Sequence, residues 1–221
     1  MMGYIIYDAS FVRVPSFQRQ FQRPFQCRHS TTADCAFNNY SVLSPPMATD
    51  PTSASRDEKV RICSIAFLDN PSKFTDNIKL EIVFEVLENV SGDIDFELKY
   101  IGNPNSSKYD QVLESAVIGP IREGRHKFVL EAPPPALEKL LCEDIVGVTI
   151  LFLDVMYNEQ KFMSAGYYVA TEYTEDELIN SPPLKPIIPK LQRCIKVDDL
   201  RVTHFEIDWS TPDPMHVECD E

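Results

Sequence analysis

The sequence of 221 residues contains only seven glycines, and its four histidines stand far apart. Loops that cradle phosphate groups need clustered glycines, and neither such a loop nor a dinucleotide fingerprint occurs. A G-x-S-x-G nucleophile elbow and an H-E-x-x-H zinc helix are also missing. Asp93 near Asp95, and Asp110 near Glu114, are pairs that 34 acidic residues produce by chance. The chain is therefore not expected to be an enzyme.

The six cysteines are widely separated, and none forms a C-x-x-C pair. Structural zinc sites use such closely spaced pairs, so we expect no metal and no cofactor. A secretory signal needs an apolar stretch of about 7–15 residues, and none is present near the start. We therefore expect free thiols in a reducing compartment, and no membrane partner.

Positive charge is scarce, since 21 basic and 34 acidic side chains give a net charge of −13. Affinity for phosphates comes from an excess of lysine and arginine, so direct nucleic-acid binding is not expected. The charge fits a protein with basic partners, and it fits any acidic protein equally well. Residues 1–46 hold four basic and two acidic groups, a local +2, which leaves −15 for residues 47–221.

The two ends of the chain differ from its middle. Residues 1–57 are expected to form a disordered extension, because prolines interrupt them and no apolar periodicity runs through residues 1–46. Met47 offers an alternative start, and a mitochondrial presequence is another interpretation of this segment. Residues 210–221 are polar and end in acids, and we expect a short flexible tail.

Residues 58–209 carry the patterns of short strands. From Ile78 to Val86 every even-numbered side chain is apolar, and residues 94–100 repeat the alternation. Further strands are expected at 60–68, 112–118, 125–131, 146–156, 160–170 and 201–208, separated by turn residues. Gaps this short leave no room for crossover helices. The pattern predicts an all-β fold, an antiparallel β-sandwich.

Two short helices are expected between strands. Pro135 can open a turn over residues 136–141, since proline is tolerated at the first helical position. Thr174 and Glu177 form a capping-box pattern, in which the two side chains bond to backbone N–H groups of the first turn. Pro182 and Pro183 should end that second helix.

Residues 146–156 are apolar on both parities, which allows two interpretations. The strand is buried on both faces, or one face lies in the core and the other forms an apolar contact patch. Tyr167 and Tyr168 are adjacent in the next strand and must point to opposite faces, so at least one of them is a candidate for a surface contact.

Several short segments of the sequence match, in order and spacing, segments of a known protein family. They include Leu68-Asp-Asn-Pro71, Tyr109-Asp-Gln-Val-Leu113, Val146-Gly-Val-Thr149, Gly166-Tyr-Tyr-Val169 and the segment from Arg201 to Trp209. In their order and spacing, residues 58–209 resemble the core of the anti-silencing-function family of histone H3–H4 chaperones. The resemblance implies an immunoglobulin-like sandwich, in agreement with the strand pattern.

The resemblance also implies a function and two histone contacts. Members of the family bind one H3–H4 heterodimer and cover the H3 surface that otherwise joins two heterodimers into a tetramer. By position, the side chains for the H3 contact are Asp110, Asp144, Val148, Ile150, Phe152 and Tyr168. Arg201 and Thr203 fall in the last strand, where the family docks the C-terminal tail of H4.

A second surface is implied for larger chromatin-assembly chaperones, which add a short basic motif at a sheet edge. The matching positions are Asp93, Ala116, Val117, Ile118 and Phe128. From the pattern alone, Val117 and Phe128 are more simply explained as core residues. Gly92 stands where many members carry an acid, and Ser164 replaces a family arginine at the H3 surface.

The resulting hypothesis is a monomeric, ATP-independent histone chaperone that acts in the nucleus, with shuttling through the cytoplasm, in nucleosome assembly and disassembly. The alternative is a cytosolic immunoglobulin-like adaptor that captures another basic peptide by strand addition.

Overall fold

The protein is described here from a computed structural model, which places residues 12–13, 41–42 and 58–210; the first two segments are described by their backbone alone. The strands are β1 Val12–Arg13, β2 Ser41–Val42, β3 Val60–Leu68, β4 Ser72–Lys73, β5 Ile78–Val86, β6 Ile94–Tyr100, β7 Gln111–Ile118, β8 Gly124–Ala132, β9 Gly147–Tyr157, β10 Gln160–Tyr173 and β11 Leu191–His204. One α-helix, α1, spans Asp176–Asn180, and 3₁₀ helices span Ser107–Tyr109, Leu137–Lys139, Cys142–Asp144 and Ile188–Lys190.

The strands form two antiparallel sheets. One sheet has seven strands in the order β1-β7-β6-β9-β10-β11-β4, and the other has four in the order β2-β3-β5-β8. Along β5 and β6 buried and half-buried side chains alternate without interruption, as expected for strands with one face on the core. The two sheets pack against each other through these faces, which confirms the predicted immunoglobulin-like sandwich.

Aromatic rings occupy the middle of this core. Phe96 contacts Phe84 and Phe128, with ring centroids 5.5 and 4.9 Å apart, so that it joins the two sheets. Trp209 packs on Tyr157 at 5.3 Å, after the last strand, and covers one end of the sandwich. Contacts of this kind contribute about 0.5–1.5 kcal/mol each beyond the area that they bury.

Most strand bounds agree with the expectations to within three residues; the exceptions are the two-residue strands β1, β2 and β4, which were not expected, and the last strand. β3, β5 and β6 have the expected bounds, whereas β11 begins at Leu191, ten residues before the expected start at residue 201. The pattern missed this part because Arg193 occupies a buried position between Leu191 and Ile195. A charged residue at a core position interrupts the apolar alternation on which the prediction depends.

The helix expectations need two corrections. Residues 136–141 contain only the 3₁₀ turn Leu137–Lys139. The capping box at Thr174 is wrong, because the N-cap of α1 is Glu175 and it makes no side-chain cap bond. β10 continues to Tyr173, whose hydroxyl accepts a hydrogen bond from the Ile187 N–H at 2.9 Å, and this displaces the helix start by one residue. α1 ends before the two prolines, as expected.

The extension expected over 1–57 and the tail over 210–221 fall almost entirely outside the described residues. Within residues 1–57, β1 pairs with β7 and β2 pairs with β3, over two residues each. Both domain assignments stay predictions.

Arg193 fixes the turn between β4 and β5 against β11. Its guanidinium donates to the backbone carbonyls of Phe74 at 3.1 Å and Asp76 at 2.9 Å, and to the Ser72 hydroxyl at 3.0 Å. The side chain is almost fully buried, and burial lowers the pKa of Arg193 to about 10, although the charges of Asp76 and Tyr100 oppose this. The hydrogen bonds therefore offset only part of the cost of burying a cation, and Nε has no partner within the described residues.

We predict that Arg193→Met lowers the free energy of unfolding by about 3 kcal/mol, because the turn carbonyls lose their buried donor. Urea denaturation measures the change. Arg201→Met on the same strand is the control, since Arg201 is exposed and its replacement should change stability by less than about 0.5 kcal/mol. Equal midpoints for the two variants would contradict the role of Arg193.

Candidate functional site

The outward face of β9 carries an exposed apolar row in the middle of the seven-stranded sheet. Val148 is 69% exposed, and Ile150 and Phe152 are half-buried, whereas Leu151 and Leu153 on the other face are fully buried. β9 lies between β6 and β10, so the row does not lie at a sheet edge. Of the two interpretations of residues 146–156, the structure therefore supports the one with an apolar contact patch.

Tyr168 completes this row from the neighbouring strand. It is 40% exposed and lies directly opposite Ile150, while Tyr167 is buried with its ring 4.8 Å from the ring of Phe67. The two tyrosines point to opposite faces, as predicted. We call Val148, Ile150, Phe152 and Tyr168 the apolar row.

Gly166 determines how Phe152 lies on the sheet. The two residues are cross-strand neighbours, and a Cβ atom on Gly166 would come within 2.9 Å of Cε1 of Phe152. The aromatic ring therefore lies over the glycine. The absence of a side chain at residue 166 keeps the phenylalanine flat against the sheet at this end of the row.

Two carboxylates border the row, Asp144 toward its Val148 end and Asp110 level with its middle. Asp144 ends the 3₁₀ helix before β9, and its Oδ2 accepts a hydrogen bond from Nδ2 of Asn103 at 2.7 Å. Asp110 directly precedes β7, at a register level with Ile150 two strands away. Its Oδ1 is buried and has no hydrogen-bond partner within the described part of the chain. The residue as a whole is half-buried, so part of Asp110 remains accessible beside the row.

The edge of β11 presents backbone N–H and C=O groups to a partner, whereas the apolar row presents side chains. β4 pairs only with Gln192 and Arg193, and the amide of Asn70 bonds to both backbone groups of Ile195. Beyond that point, over residues 196–204, no strand in the described residues pairs with this edge. Arg201 and Thr203 lie here and are both exposed.

The expected contact residues of the second surface are only partly accessible. Ala116, Ile118 and Phe128 are buried in the core, so their side chains are not exposed in this structure, and their contact with a partner stays a prediction. Their outward neighbour Val117 is half-buried and not a core residue, and Asp93 is half-buried beside Gly119. The backbone of β1 pairs with this edge at residues 117 and 118.

A charged cluster beside Phe152 was not anticipated from the sequence. Asp154 is the next outward residue of β9, and its carboxylate contacts Lys161, Ser164 and Lys99. The apolar pattern of the sequence does not indicate it, because residues 146–156 are otherwise apolar on both parities. A single acid inside such a run was the available indication, since a buried carboxylate requires partners.

The described residues give little support to a metal site, a disulfide or a membrane span. No group of three histidine, cysteine or acidic side chains there could hold a metal ion. Cys63, Cys142 and Cys194 are free thiols, and burial raises the pKa of Cys63. No helix in residues 58–210 is long and apolar enough to cross a membrane.

The fold and the surface define a class of protein: an immunoglobulin-like sandwich that offers an apolar row in mid-sheet and an open strand edge, as protein-binding domains do. The family model described as ASF1 like histone chaperone matches residues 57–210. The chain belongs to this family, which confirms the resemblance. The description of the family, a histone chaperone, names a non-enzymatic function.

Three relatives show the extent of the similarity. The probable histone chaperone asf-1-like protein of Caenorhabditis elegans is 50% identical over 74% of this chain and 66% of its own length. A second protein of that organism, the probable histone chaperone asf-1, is 49% identical over 71% of this chain and 57% of its length. Histone chaperone asf1 of Drosophila melanogaster is 42% identical over 68% and 69%. The chain thus spans less than two thirds of the length of the two nematode relatives.

We predict that Ile150→Arg leaves the domain folded, because the arginine side chain can extend into solvent from the outward face of β9. The free energy of unfolding should fall by no more than about 1.5 kcal/mol. Leu151→Arg is the matched control one residue away, and it should unfold the domain, since it places a charge in the core. Circular dichroism and urea denaturation measure both. Unfolding of the Ile150 variant would show that Ile150 is a core residue.

Proposed function

We propose that this protein is a histone chaperone that binds one H3–H4 heterodimer, blocks H3–H4 tetramerisation and passes histones during nucleosome assembly and disassembly. The observation that carries the proposal is the exposed apolar row on a domain of the ASF1-like family. The names of the relatives, all histone chaperones, support it. The action needs no cofactor, and it places the protein in the nucleus.

The apolar row supplies most of the affinity for an H3 helix in this proposal. Burying a side chain the size of isoleucine contributes about 1.5–3 kcal/mol, whereas an exposed ion pair contributes about 0.2–1 kcal/mol. Val148 and Tyr168 are the most exposed members and gain most from being covered. The row therefore holds the complex together, and the charged groups around it orient the histones.

Asp110 and Asp144 receive basic histone side chains. Asp110 is half-buried and level with Ile150, where its charge faces the bound helix, and Asn103 holds the carboxylate of Asp144 in one orientation. The charge of −15 on residues 47–221 attracts basic histones from a distance and accelerates the encounter.

The open edge of β11 receives the C-terminal tail of H4 as an added strand. Backbone hydrogen bonds hold an added strand whatever its sequence, and the exposed Arg201 and Thr203 contact its side chains. A second surface at Asp93 and Val117 serves larger chromatin-assembly chaperones.

The proposal is tested by mixing the full chain with H3–H4 and measuring the mass of the complex by light scattering after gel filtration. We expect one chaperone per H3–H4 heterodimer and no H3–H4 tetramer. Ile150→Arg should abolish this complex while the variant stays folded. Absence of a complex with the wild-type chain at moderate salt would overturn the proposal in favour of an adaptor for another basic peptide.

We predict that Asp110→Ala slows association with H3–H4 about fivefold at low salt and changes dissociation less, because the lost charge steers the encounter. Stopped-flow fluorescence at 50 mM and 500 mM salt measures both rates. Glu88→Ala removes an exposed acid from the loop before β6 and should leave association unchanged. An unaltered association rate for the Asp110 variant would exclude steering by this residue.

A further inference from the structure

The outward row of β9 continues past Phe152 into a carboxylate that is almost completely covered. Asp154 is 4% exposed, although it lies on the sheet face that is otherwise open. Its Oδ1 accepts a hydrogen bond from the Ser164 hydroxyl at 2.5 Å, and its Oδ2 lies 2.8 Å from Nζ of Lys161 and 3.8 Å from Nζ of Lys99. The covering groups are therefore a hydroxyl and two ammonium groups.

The contacts with Asp154 restrain two lysines that would otherwise move freely in solvent. Lys99 also lies 3.1 Å from Glu97; desolvation lowers the pKa of Lys99, but the hydrogen bond and charge of Glu97, followed by the charges of Asp154 and Asp110, outweigh it and leave the pKa raised. Lys161 keeps 41% of its side chain exposed. Both ammonium groups are thus held at the Asp154 carboxylate, Lys99 opposite Phe152 and Lys161 over the ring of Phe205 at 6.0 Å, while they remain accessible to a partner.

The same face carries two more cations from β11. Lys196 lies opposite Tyr168, and Arg201 lies opposite Gly166, so both project from the side of the sheet that bears the apolar row. Together with Lys99 and Lys161 they make four cations. Glu97, Asp154 and Asp95 lie on the same face, and the exposed Asp198 and Asp199 stand between the two cations of β11, so acids and cations are interspersed here and the region has no excess of positive charge.

The apolar row has a carboxylate at one end and two restrained ammonium groups at the other. Asp144 lies toward its Val148 end, Asp110 lies level with Ile150 in its middle, and the restrained lysines lie at its Asp154 end. Six residues of strand separate Val148 from Asp154, roughly 20 Å at about 3.3 Å per residue. That length corresponds to about four turns of an α-helix. A docked helix can therefore contact both charged regions at once.

We propose that Lys99 and Lys161, held by Asp154 as a positioning residue, bind a carboxylate of the docked histone helix at the far end of the apolar row. This inference rests on the proposed histone-binding function and adds a polarity to it. The partner helix presents an acidic side chain at the Asp154 end and basic side chains at the Asp144 end, which determines the direction in which it docks.

Charge reversal at Lys161 tests the carboxylate contact. Lys161→Glu should weaken H3–H4 binding about fivefold at 0.1 M salt and much less at 0.5 M salt, since an exposed contact of this kind is screened. Lys161→Arg should retain wild-type affinity. The matched control is Lys127→Glu on the four-stranded sheet, where a lysine also lies 2.8 Å from a carboxylate, and it should bind normally. Biolayer interferometry measures each affinity.

Asp154→Asn tests the positioning role. The lysines keep their charges but lose the carboxylate that holds them, so the affinity for H3–H4 should fall about threefold. In the Asp154→Asn background, Lys161→Glu should reduce the affinity by a smaller factor than it does in the wild-type protein. Wild-type affinity of Lys161→Glu at both salt concentrations, with Ile150→Arg still inactive, would overturn this inference alone. Failure of the wild-type chain to bind H3–H4 would instead overturn the proposed function.

Discussion

β9 is hydrogen-bonded to a neighbouring strand on both sides, and the rest of the structure depends on this constraint. Successive side chains of a strand point to opposite faces of its sheet, and pairing on both sides fixes the register of β9. Leu151 and Leu153 fill the core, and Val148, Ile150 and Phe152 must then project from the outer face. The core side chains and the surface side chains of β9 are fixed together, because a register shift of one residue would move the core set to the surface and the surface set to the core.

The position of β9 also decides which kinds of contact the sheet can make. In the middle of the sheet the backbone is satisfied, so a partner can be held there only by side chains. At the edge, β11 leaves backbone groups unpaired over residues 196–204 within the described structure, and an extended peptide can bind to them. A partner with both a helix and an extended tail fits this division, since each part meets the type of surface that suits it.

Much of this could be predicted from the sequence, and the failures have a common physical origin. Strands β5 and β6 follow from uninterrupted alternation. The start of β11 and the cluster at Asp154 do not, because Arg193 and Asp154 are charged groups at buried positions. Their burial is tolerated only because partners distant in sequence, such as Phe74 and Lys99, satisfy them. No local pattern contains that information.

The sequence by itself determined the all-β fold, most strand bounds, the opposite orientations of Tyr167 and Tyr168, and the family. These depend on a period of two and on motifs that are contiguous in the chain. Only the tertiary structure decided that one face of β9 is a surface, that Ala116, Ile118 and Phe128 are core, and that Asp154 holds two lysines. Each of these depends on which strands become neighbours, and strand pairing brings together residues that lie far apart in the chain.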